Sequence, residues 1–84
     1  MAKRTPQPDE IDLHGLRHKL ALALVRKTLD QRENQQGSFS LTIITGNSTV
    51  LQERIFSEIL EETYYTYYIP SWNLGQIIVE NIEL

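Results

Sequence analysis

Asp12 and His14 stand two residues apart in Ile11-Asp12-Leu13-His14-Gly15-Leu16, near the front of the chain. In an extended segment side chains alternate faces, so Ile11 and Leu13 point one way and Asp12 and His14 the other. A carboxylate and an imidazole are then side by side where a strand would end, and Gly15 lets the backbone turn sharply behind them. The pair suits acid–base chemistry. A neutral imidazole can take a proton from an attacking water, while a carboxylate orients the ring or holds a divalent cation, magnesium or manganese. A strand that only fills a core has no use for it. A structural reading competes: His14 caps the strand end through backbone hydrogen bonds and Asp12 closes a local turn. On the residues alone the structural reading leads.

Two other groups bear on the same chemistry. Arg17, His18 and Lys19 fall where a helix should begin. Cations there oppose the helix dipole, which prefers acidic residues by roughly 0.3–1 kcal/mol each. Such a cluster suits a phosphate partner, or is a solvated helix start that tolerates a small penalty. Thr45-Gly46-Asn47-Ser48 sits between a strand pattern and a helix pattern. Its backbone N–H groups and the Asn47 and Ser48 side chains could cradle an anion, although any strand-to-helix turn needs a glycine and a cap.

These residues need elements to position them. Glu10 to His14 reads as a first strand. Leu16 to about Glu33 reads as a helix, with Leu22, Val25 and Leu29 on one stripe and Ala21 and Leu24 beside it. Asn34-Gln35-Gln36-Gly37 ends it. Phe39 to Ile44 is a β-branched strand with Phe39, Leu41 and Ile43 on its core face. Thr49 and Gln52 have the spacing of a capping box opening a second helix that runs to about Glu62. There Leu51, Ile55 and Ile59 form one row and Phe56 and Leu60 the next, with Gln52, Glu53, Ser57, Glu58 and Glu61 facing water. Tyr64 to Ile69 is a third strand ended by Pro70. Alternation sets Tyr64 and Tyr68 on one face and Tyr65 and Tyr67 on the other, so at least one pair joins the core; the tyrosines could also stack on unpaired bases. Ser71 to Gly75 turns the chain, with Trp72 either exposed near a partner or covering the end of the core, and Gln76 to Leu84 is the last strand.

The order β-α-β-α-β-β predicts a two-layer α/β sandwich with a four-stranded mixed sheet and two helices on one face. Two successive crossovers imply parallel neighbouring strands, with the last strand returning antiparallel. His14 and Thr45–Ser48 should then share the carboxyl edge of the sheet, where ligands of such folds gather.

Composition sets limits. An 84-residue chain is one small domain, and at this size only about 60% of the unfolded surface is buried. Hydrophobic residues at 40% and charged residues at 23% are an ordinary globular mixture. The lack of cysteine excludes disulfides and thiolate metal sites. No apolar run suggests a signal peptide or a membrane span, so the expectation is a soluble cytoplasmic domain with no membrane partner, preceded by a flexible arm over residues 1–9. The net charge of −3 argues against a large, constitutively basic nucleic-acid surface. Seven of the eight Lys and Arg residues nevertheless precede Gly37, so phosphate contacts should come from the front of the chain.

Together these motifs bear a family resemblance. Asp12-Leu13-His14-Gly15-Leu16, a helix, Ile43-Ile44-Thr45-Gly46, a second helix and a late Gly75 before Ile77-Ile78-Val79 resemble the small MutS-related (Smr) domain over residues 10–84. The resemblance implies a fold like the one above, nucleic-acid binding, with DNA ahead of RNA, and nicking endonuclease activity on DNA or RNA cleavage. It assigns catalysis to Asp12 and His14. Gly15, Thr45, Gly46, Asn47 and Ser48, which fall on the family's two motifs, are assigned to nucleic-acid binding, and Arg17, His18 and Lys19 join them from their charge at the helix start. The sequence departs from the family pattern at Ser48, where the Thr-Gly-x-Gly loop has a second glycine. Thr49-Val50-Leu51 replaces the His-Ser pair that often follows, and Leu20-Ala21 stands for the Glu-Ala that commonly opens the first helix. These departures bear on activity more than on fold. The alternatives are a non-catalytic nucleic-acid-binding module and a protein-interaction domain.

Overall fold

A computed structural model describes residues 9–82, with only the backbone at Gln36. The expected arm, apart from Asp9, lies outside the described residues, as do the last two positions of the final strand. The elements are β1 (Asp9–Asp12), α1 (His18–Gln36), β2 (Phe39–Ile44), α2 (Thr49–Glu58), a 3₁₀ turn (Leu60–Glu62), β3 (Thr66–Tyr68) and β4 (Gln76–Asn81). β1 therefore begins one residue earlier and ends two residues earlier than expected. No helix among the described residues is long and apolar enough to cross a membrane.

The expected two-layer α/β architecture is present. Ile11, Leu13, Leu41, Ile43, Ile77 and Val79 meet Ala21, Leu22, Val25 and Leu29 of α1 and Leu51 and Ile55 of α2 in one apolar cluster. Sheet residues of the opposite parity (Glu10, Asp12, Ser40 and Thr66) are exposed, so the helices cover one face. Tyr65 and Tyr67 are the tyrosine pair that packs on the core, while Tyr64 and Tyr68 face solvent.

The strand order is β1-β2-β4-β3. β1 and β2 are parallel, and β4 runs antiparallel to both β2 and β3. Here one expectation is corrected. The second crossover does make β2 and β3 point the same way, but they are not neighbours, because β4 enters between them. The physical reason lies in composition. Ile77, Ile78 and Val79 are all buried, Ile78 on the face away from the helices between its cross-strand neighbours Thr42 and Tyr68, which a strand with partners on both edges allows. β3 is three residues long and runs into Pro70, which suits an edge.

Two helical details also differ. α2 ends at Glu58 and the chain tightens into the 3₁₀ turn instead of continuing to Glu62. The cap of α2 is Ser48, whose hydroxyl accepts the Leu51 N–H at 3.2 Å, and Thr49 is the first helical residue.

Candidate functional site

Because β1 and β2 are parallel and β4 opposes them, three connections meet at one end of the sheet. They are the turn after β1, the Thr45–Ser48 loop after β2, and the Pro70–Gly75 segment before β4. Asp12 pairs with Ile44, which pairs with Gln76, and the Leu13 N–H continues the ladder to the Ile44 carbonyl at 2.8 Å.

A buried polar hub fixes this rim. The Gln52 side-chain amide donates to Thr45 Oγ1 at 2.9 Å and to the Leu74 carbonyl at 2.8 Å. The Thr45 and Gly46 N–H groups both donate to the Gly75 carbonyl, at 2.9 and 3.0 Å. Thr45 Oγ1 lies 3.0 Å from the Gly46 carbonyl and 3.1 Å from that of Gly75, and directs its one proton to either. Gln52, expected to face water, is instead 5% exposed. The row of Phe56 and Leu60, extended back by four residues, falls on Gln52, so the helical period carried the signal. A polar residue at the head of an apolar row needs buried partners, and the two loops supply them.

His14 follows β1, with its side chain exposed. Its ring faces the second loop: a Cβ built on Gly46 would lie 3.7 Å from Cδ2 of His14. Gly46 has φ +68° and Gly15 φ +84°, the left-handed region that favours glycine, so each bend depends on its own glycine. The imidazole and the Thr45–Ser48 loop are therefore neighbours, as sequence spacing predicted.

Asp12 makes the contact that the structural reading gave it. Its Oδ1 accepts the backbone N–H of His14 at 2.9 Å, closing a local turn. Among the described residues nothing hydrogen-bonds the imidazole itself. Asp12 thus positions His14 through the backbone, not by holding its ring.

The loop's capacity for anions is narrower than its sequence suggests. The Thr45 and Gly46 N–H groups are spent on Gly75, leaving the Asn47 side chain, the Ser48 hydroxyl proton and the N–H groups of Thr49 and Val50, which precede the first intrahelical bond from the Gln52 N–H to the Ser48 carbonyl. Across the rim, Arg17 sits at the N-cap of α1 with no side-chain cap, followed by His18 and Lys19. Among the described residues the ion pairs are Arg32–Asp9 and Arg54–Glu58, so Arg17 and Lys19 carry unneutralised charge. A side chain added at Gly15 would meet nothing within 4 Å, so the bend leaves open space beside the cations.

No group of three or more His, Asp or Glu residues converges as a metal ligand set among the described residues. Asp12 with one oxygen already engaged does not make a cage for a resident magnesium or manganese ion.

No protein-family model matches this chain, and no relative is found among curated proteins.

Proposed function

We propose that this rim is a nucleic-acid-binding site. Arg17, His18, Lys19, Asn47, Ser48 and the first N–H groups of α2 contact phosphate, with Gly15 and Gly46 admitting the backbone. More particularly, we propose an Smr-like domain that cleaves one phosphodiester strand. The observation that carries this reading is the His14 ring set against Gly46, on a rim whose other connections carry Arg17 and Lys19, without ion-pair partners among the described residues, and the Ser48-capped start of α2. Neutral His14 takes a proton from the attacking water or hydroxyl, the new oxygen–phosphorus bond forms, and the leaving oxygen departs with a proton from solvent. Asp12 holds the His14 backbone in place. No step is routed through a metal.

A second reading has its own support. Asp12 Oδ1 accepts a backbone N–H, and among the described residues no carboxylate is hydrogen-bonded to the imidazole, which suits a module that binds without cutting. Plasmid nicking separates the two. Wild-type protein is expected to convert supercoiled plasmid to the open circle and His14→Ala to lose that activity, with circular dichroism unchanged because His14 is exposed. Equal nicking by both proteins rejects the catalytic role. Binding in gel shifts, with no cleavage by wild type across magnesium and manganese concentrations, establishes the binding module instead.

A further inference from the structure

Trp72 is unused in the site above. It is the chain's one tryptophan and is 74% exposed. An indole left in water forfeits burial worth more than that of almost any other side chain, so its place in the fold matters. It occupies the turn Pro70-Ser71-Trp72-Asn73, closed by the Asn73 N–H to the Pro70 carbonyl at 3.2 Å. The turn is not loose. Asn73 Oδ1 accepts the Gly75 N–H at 2.9 Å, the Leu74 carbonyl is held by Gln52, and the Gly75 carbonyl by Thr45 and Gly46. Trp72 is three residues from Gly75, at most about 11 Å of chain, so a braced turn presents it at the rim that carries His14.

Other apolar side chains gather on the same connections. Leu16 and Leu20 flank Arg17 and Lys19, Val50 lies in the first turn of α2, and Leu74 follows Trp72; these are 39, 59, 57 and 68% exposed. Exposed aromatic and aliphatic side chains on the same connections as cations that have no ion-pair partner among the described residues do not match the outside of a duplex, which offers phosphates and keeps its base faces stacked. They match strands whose bases are free, where stacking and phosphate contact occur together.

We propose that Trp72 is a stacking platform for an unpaired base and that the substrate class of the rim is single-stranded or locally unpaired nucleic acid. This rests on the proposed nucleic-acid-binding function and names its ligand. The charge of Arg17, His18 and Lys19 fixes phosphates while the indole takes one base face.

The lone tryptophan makes the test direct. A thymidine oligonucleotide of about a dozen residues, its uridine counterpart, an abasic oligomer of equal length and a duplex are titrated into the intact protein. Intrinsic fluorescence and, with end-labelled probes, anisotropy are followed. Saturable quenching by the thymidine or uridine strand, absent with the abasic strand, is expected. Trp72→Ala should bind the same strand about 5- to 150-fold more weakly, and Trp72→Phe should recover part of the loss, both with unchanged circular dichroism. Binding without quenching, equal affinity for abasic and base-bearing strands, or equal binding by Trp72→Ala overturns the stacking role and leaves the nucleic-acid site standing. Failure of wild type to bind any probe overturns that site, and this inference with it. A concentration-dependent blue shift with no oligonucleotide present would mean that a second copy covers Trp72, which also overturns it.

Discussion

The two ends of the sheet treat polar groups in opposite ways. At the end where β1 and β2 begin, polar side chains are tied to one another or to the backbone. Arg32 forks onto Asp9 in a two-armed ion pair, the Tyr65 hydroxyl donates to Glu33 at 2.6 Å, and Asn81 donates to the Gly37 carbonyl at 2.6 Å. At the other end the satisfied polar groups lie underneath, in Gln52, Thr45 and Gly75, while His14, Arg17 and Lys19 stand above them without ion-pair partners among the described residues. Two-armed Arg–carboxylate pairing gives stability; cations held at a helix start against its dipole do not. On the proposed function, the difference separates a structural end from a working one.

The largest effect is expected from removing the hub beneath the working end. Gln52→Leu deletes two buried hydrogen bonds and leaves the Leu74 carbonyl without its donor, so a loss of about 2–3 kcal/mol is expected in urea unfolding. Retained stability would mean that the loops brace each other without Gln52. Gly46→Ala comes next. Its Cβ meets His14 at ordinary contact distance, so the penalty is conformational, about 1–2 kcal/mol for a non-glycine residue at φ +68°. A neutral outcome would show that the loop shifts freely.

Asp9→Asn probes the structural end and should cost about 0.5–1 kcal/mol, the range for a well-formed, partly exposed pair. The hydrogen bond from Arg32 holds the Asp9 carboxyl below its usual value, against a smaller opposing effect of burial. A lowered folded-state value makes this stability present above about pH 4 and lost as acid protonates the carboxyl. The mutant should lack that part of the acid-dependent loss. Tyr65 gives the alkaline counterpart. Burial, then the hydrogen bond and charge of Glu33, push its hydroxyl up to about 12. Its contribution is complete below about pH 10 and fades as pH rises through 12. Tyr65→Phe should remove this alkaline sensitivity in thermal melts while keeping the edge-on ring contact with Phe39 at 5.2 Å.

Arg17→Ala and Lys19→Ala should change stability least, within about 0.5 kcal/mol, as exposed unpaired charges do. Each should still reduce the slope of log binding constant against log salt by about 1. Unchanged slopes would remove these cations from the interface.

Much of this contrast was legible in the sequence. Period-3.6 and period-2 patterns marked both helices, four strands and their order, and spacing placed His14 at the same edge as Thr45–Ser48. Strand neighbours were harder, because chain order fixes direction but not insertion. The unbroken Ile77-Ile78-Val79 run was the available sign that β4 is central. Hydrogen-bond allocation was not legible. The Asp12 carboxylate and the Thr45 and Gly46 N–H groups look available in a sequence, and only the fold shows that the His14 N–H takes one Asp12 oxygen and the Gly75 carbonyl takes both N–H groups.

The sharpest comparison of the two ends is an NMR titration of the intact protein with a thymidine oligonucleotide. Shifts are expected at the His14 ring protons and at the amides of Gly15, Lys19, Asn47 and Ser48, with Asp9, Glu33 and Asn81 unmoved. Shifts centred on Asp9, Arg32 and Tyr65, or none at either end, would contradict the assignment of the working rim.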